Sequence, residues 1–291
     1  MPSPYEHLFD GTISHSLTYV GIALMTGHAT WRAILPQDAP RVTGERTFFL
    51  AGSAMALLGA LVNLRQASLT MTGALDPDAI RMVLTQTQFG QSLLVHVSCL
   101  LLAIATGAWL WRSTGTPQQP LLWLPVVFAL LGQSLVGHAS AEGLSWPLWA
   151  YALHVMGAVA WLGGILAWLN RLSRGYTRSM TRVFAPFSRF ARGAMLVLLP
   201  AGLAVGVYFI PRPSAVVSPY GIALAIKLLL VVLVLALALG HHRTRFPRIR
   251  SSPGTPEGWK RFDDALLLEA SLGILIVVLA AMLSQIPPPE A

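Results

Sequence analysis

The chain reads as an all-α protein, a polytopic membrane bundle of eight transmembrane helices forming one integral membrane domain over residues 1–291. Three observations carry this. Charged residues are 11% of the chain, against about 25% in soluble domains. Mean hydropathy is +0.61. Apolar runs of about 20 residues, the length a bilayer crossing needs, recur from end to end.

The spans are expected at 12–34, 44–65, 90–112, 119–140, 147–171, 186–210, 217–240 and 262–285. Pro36, Pro40 and Pro117 stand just past or between spans, and Pro147 suits a first helical turn, where a missing N–H costs little. Pro125 and Pro200 lie inside spans four and six and are expected to kink them, which neighbouring helices make tolerable. Between spans two and three, residues 76–90 read as a short interfacial helix. Asp76 caps it, Pro77 opens it, and Ile80, Val83 and Leu84 form its apolar face. The acidic start MPSPYEHLFDG lacks the basic flank of a signal peptide, so span one is expected to stay.

Orientation follows from Lys and Arg in the loops. Those after spans one, three, five and seven carry three, one, six and six; the opposite side holds only Arg65, Arg81 and Arg212. Both termini are therefore expected to face away from the cytoplasm. The net charge of +8 is this asymmetry; it points to contact with membrane lipid and not with nucleic acid. The stretch 251–258, SSPGTPEG, reads as the longest cytoplasmic loop.

Four histidines share one depth. His15 opens span one, His96 and His154 lie about two turns into spans three and five, and His138 closes span four. At about 1.5 Å rise per residue, all four fall within roughly the outer 15 Å of the membrane. His28 is deeper, His241 and His242 sit at the inner surface, and His7 is outside. Neutral imidazole is the commonest side-chain ligand of copper and zinc, and polar groups in lipid face the bundle interior. The same histidines could instead donate hydrogen bonds to neighbouring carbonyls. Accessory donors are in reach: Cys99 stands three residues after His96, Met25 three before His28, and Glu142 four after His138 in GHASAE, 137–142. As the single cysteine, Cys99 excludes an intrachain disulfide. In the run LWAYALHVMGAVAWLGG, 148–164, Trp161 shares a face with His154, and Gly163–Gly164 lets another helix come close. Lys227 and Glu269 are buried charges near mid-membrane on the last two spans. An ion pair or a shared network would offset their cost, as fixed register or as part of an ion path.

HVMGAVAWLGG in span five, FSRFARGAMLVLL in span six, SPYGIALAIKLLL in span seven, the Glu269 span and TQFG at 87–90 resemble the CopD copper-resistance family, most strongly over residues 147–288. His154, Trp161, Tyr220, Gly221, Lys227 and Glu269 fall on positions characteristic of that family. The resemblance implies an inner-membrane protein acting in copper handling and import beside a small periplasmic copper-binding protein of the CopC type, with the termini that the loop charges place outside then periplasmic. The chain carries no such β domain or Met/His-rich tail, so the copper donor is expected to be a separate protein. No Walker A pattern is present, so transport would run on a gradient or on binding at the inner end, and no enzymatic activity is expected.

Three function classes follow. The first is a copper transporter whose outer histidines, His154, His138, His96 and His15, receive Cu(I) or Cu(II). The second is a membrane cytochrome with haem b held by two histidines. The third is a copper sensor or metalation partner that transports nothing.

Overall fold

The computed structural model describes residues 4–34, 45–112, 121, 123–135, 145–172, 178–210, 212–240 and 256–287. These form α1 (Pro4–Ile34), α2 (Glu45–Thr72), α3 (Pro77–Gln86), α4 (Gln88–Arg112), α5 (Trp123–Ser134), α6 (Trp146–Leu172), α7 (Arg178–Phe209), a 3-10 turn η1 (Pro213–Val217), α8 (Pro219–Gly240) and α9 (Pro256–Leu283). Among the described residues there is no strand. Six helices, α2, α4, α6, α7, α8 and α9, are long and apolar enough to cross a membrane.

The other two expected spans fall on α1 and α5, and their character has a physical reason. α1 packs against α2, α5, α6, α7 and α9, so its environment is protein on most sides. Ile22, Ala23, Met25 and Ala29 are fully buried, and so, nearly, are Ser14, Thr18, Thr26 and Thr30. Several hydroxyls bond back to their own helix, Thr18 to the Ser14 carbonyl at 2.9 Å and Thr30 to that of Thr26 at 2.8 Å. Helix-internal bonds of this kind let hydroxyls sit in an apolar interior. α7 and α8 are the reverse, with Leu196, Leu203, Val207, Leu229 and Val232 exposed, a surface suited to lipid.

α1 and α6 run in parallel through the centre. Three contacts occur in the same order along both: Tyr19 with Tyr151 (hydroxyls 2.7 Å apart), Gly27 with Gly163, and Trp31 with Trp168 (ring centroids 5.4 Å). At the middle crossing a Cβ on either glycine would strike the other helix's backbone, the close approach anticipated at Gly163. The far end is closed by aromatic rings. Phe187 stacks on Trp31 at 5.9 Å and lies 4.8 Å from Trp168, whose other neighbour is Phe262 at 5.9 Å. The Arg171 guanidinium covers Trp31 at 5.5 Å, a cation–π contact.

Two capped turns set the entry of α4 and α8. Asp76 accepts from the Ala79 N–H at 2.8 Å and starts α3, whose buried residues are Ala79 and Val83. The helix expected over 76–90 breaks at Thr87, which is extended. There its hydroxyl accepts from the Gly90 N–H at 2.9 Å. Ser218 does the same for Gly221 at 3.0 Å ahead of α8.

Some boundaries differ from expectation. Pro125 stands in the first turn of α5, not in a helix interior, so its missing N–H breaks no bond of the ladder. α7 begins eight residues before the expected span and carries Pro186 as well as Pro200. α9 begins at Pro256 and takes in the end of the expected 251–258 loop.

Candidate metal centre

Three of the four outer histidines are described, and all three are oriented the same way. His96 Nδ1 lies 2.6 Å from the Ala129 carbonyl oxygen of α5. His15 Nδ1 lies 2.9 Å from that of Gly11, one turn back on α1. His154 Nδ1 lies 3.2 Å from that of Leu198 on α7. A carbonyl only accepts, so Nδ1 carries the proton in each neutral ring and Nε2 keeps its lone pair. Fixing one ring nitrogen so that the other is free is how proteins orient histidine ligands. The sequence left hydrogen bonding and metal ligation as alternatives. In this geometry one ring can do both, through different nitrogens.

His96 is the extreme case. Its side chain is 0% exposed, and Nε2 has no hydrogen-bond partner among the described residues. Leaving such an acceptor buried costs about 1–3 kcal/mol. The ring is held by the Ala129 carbonyl, and α5 approaches the His96 backbone closely at Gly132, where an added Cβ would come within 3.1 Å of it. His15 is within Coulombic range of it.

Around these rings lies a polar layer. Ser14 Oγ is 3.3 Å and Gln285 Nε2 3.5 Å from His15 Nδ1. The His15 ring lies 6.2 Å from that of Tyr19, whose hydroxyl meets Tyr151 and interacts with the buried Gln133 side chain. Tyr19, Gln133, Tyr151 and Gln285 escaped the sequence reading. The two glutamines carried a signal, being uncharged amides at the ends of otherwise apolar spans; the tyrosines did not, because tyrosine is common at membrane interfaces.

His154 stands apart from this pair. Its ring occupies the space that Gly202 of α7 leaves by having no side chain: an added Cβ would sit 2.6 Å from Nδ1. Gly202 was not foreseen, since its role exists only across two helices. Lys227 of α8 lies within Coulombic range of the same ring. Trp161 is buried on α6 and packs against Gly273 of α9, while Glu269 is buried on α9. Met25 is fully buried, His28 lies against Phe49 with ring centroids 5.4 Å apart, and Cys99 packs half-buried on the core. His138, Glu142, His241 and His242 lie outside the described residues. Among the described residues, no three His, Cys, Asp or Glu side chains converge as a metal site.

Two family models match the chain. One, described as copper resistance protein D-like, N-terminal domain, covers residues 12–147; the other, copper resistance protein D, covers residues 181–283. Among curated proteins the chain is similar to inner membrane protein YebZ of Escherichia coli (strain K12), 26% identical over 93% of this chain and 95% of that one. It is also similar to copper resistance protein D of Pseudomonas syringae pv. tomato, 23% identical over 93% of this chain and 94% of that one. No solved structure matches it.

Proposed function

The chain belongs to the copper resistance protein D family, and from that premise we propose that it receives copper at the periplasmic face of the inner membrane and passes it inward. One observation carries the reading: the Nε2 of His96, fully buried and unpartnered among the described residues while Nδ1 is fixed on Ala129. An imidazole lone pair held in an apolar interior is costly unless something binds it. Copper is what the family name points to.

His15 on α1, within Coulombic range of His96, is the natural second donor. His138 and Glu142 are the remaining candidates at the same depth. The excess of basic residues in alternate loops favours a cytoplasmic location for them, with both termini periplasmic. α1 and α5 then supply the two crossings beyond the six apolar helices. Copper would come from a separate periplasmic carrier of the CopC type. The haem alternative draws no support from the matched families, whose descriptions concern copper.

Uptake of copper into sealed proteoliposomes tests the reading. Wild-type protein should load the vesicles, and His96→Ala should reduce the initial rate at least tenfold while keeping its elution profile in detergent. Equal rates with and without protein would refute transport. A rate untouched by His96→Ala would remove His96 from the path.

A further inference from the structure

The entries of α4 and α8 are more alike than two unrelated helices should be. TQFGQSLLVH (87–96) and SPYGIALAIK (218–227) align without a gap: Thr87 with Ser218, Phe89 with Tyr220, Gly90 with Gly221, Leu93 with Leu224, Val95 with Ile226 and His96 with Lys227. The three-dimensional detail follows the alignment. In each, the first hydroxyl accepts from the glycine N–H and bonds back to a carbonyl of the preceding turn at 2.7 Å. In each, a Cβ on the glycine would strike that preceding turn's backbone. Proline opens both preceding helices. Facing agrees too: positions 91, 94 and 95 are exposed, as are 222, 225 and 226, while 92, 93 and 96 turn inward, as do 223, 224 and 227.

Most helix contacts repeat the same relation, although α2 packs on α4 more closely than α7 on α8. α1 packs on α2 as α6 packs on α7, and α4 on α5 as α8 on α9. α1 meets α5 as α6 meets α9. Across the halves, α1 meets α9 and α6 meets α5, while the parallel α1 and α6 meet each other. This is the contact pattern of two like units about an axis along the membrane normal. The paired basic groups obey it as well. His15 on the first helix of one half is within Coulombic range of His96, and His154 on the first helix of the other is within Coulombic range of Lys227.

We propose that the chain is two copies of one four-span unit, α1–α5 and α6–α9, and that Lys227 of the second stands where the first places the metal ligand His96. The first unit holds one copper ion between His15 and His96, a reading that rests on the copper function above. The second carries a tethered ammonium in place of its ion. Three donors on an ammonium cannot ligate a metal while protonated, and its charge repels a cation from His154. Two neutral imidazoles suit the monovalent ion, whose net charge in a buried site is the smaller.

The test counts cuprous ions bound per chain by purified protein, loaded anaerobically and passed through gel filtration. Wild type should bind one, His15→Ala and His96→Ala none, and His154→Ala one. Lys227→His should restore the second site and bind two. His96→Lys should convert the first half into the second and bind none. Copper kept by His96→Ala but lost by His154→Ala would overturn the assignment and leave the copper function standing. Wild type that binds none would overturn both. Should Lys227→His fail to elute as folded protein, the contrast between His96→Ala and His154→Ala decides alone.

Discussion

Replacing Gly27 with alanine should loosen the centre of the bundle, and the structure sets how far. The new Cβ would strike the Gly163 carbonyl oxygen, with its carbon 2.7 Å away and the Ala167 Cβ at 3.2 Å. Carbon atoms pack at about 3.5–4.0 Å, so α1 and α6 must part by about 1 Å. The obstacles nearest to the new atom are backbone and cannot rotate aside. A gap of that size forfeits a quarter to a half of each contact of about 0.1–0.2 kcal/mol. Over roughly 20 atom pairs this comes to about 1 kcal/mol, to which strain adds about 1–3 kcal/mol. Alanine returns at most about 1 kcal/mol through its better helix propensity. A net loss of about 1–3 kcal/mol follows, a fall of roughly 3–8 °C in melting temperature at the scaling of larger domains. Gly193→Ala is the matched control. Among the described residues nothing lies within 4 Å of its Cβ position, so it should melt slightly higher than wild type. Thermal melts in detergent, read by fluorescence-detected gel filtration, measure both. If Gly27→Ala melts as high as Gly193→Ala, the crossing is not close-packed as described.

Two further outcomes are expected. Tyr19→Phe and Tyr151→Phe should each cost about 1 kcal/mol, and the double variant less than the sum of the two, because the hydroxyls 2.7 Å apart share one hydrogen bond; additive losses would show that they act separately. Reporter fusions after Arg192 and Gly254 should read cytoplasmic and one at Ala291 should not, since the excess of basic residues assigns those loops to the inner side; a cytoplasmic reading at Ala291 would mean an odd number of crossings.

Much of this was legible before any coordinates. The apolar runs gave the all-helical class, and the Asp76–Pro77 start of α3 could be read from capping chemistry alone, because a cap is a contact within a few residues of sequence. Spacing also set an expected common depth for His15, His96 and His154. α1 was the harder case. Its serines, threonines and histidines lower its hydropathy, and the reason it tolerates them lies in the helices around it.

What sequence could not supply was rotation about each helix axis. Depth along a helix is fixed by counting residues, but facing is fixed by which neighbour fills which groove. Only the packed structure decided that His96 turns its Nδ1 to Ala129 and leaves Nε2 without a partner among the described residues, and that His154 fills the notch at Gly202 within Coulombic range of Lys227. The likeness of TQFG to SPYG lay in the residues all along. It became an argument once both glycines were found beneath the same hydroxyl cap, each against the backbone of the turn before it.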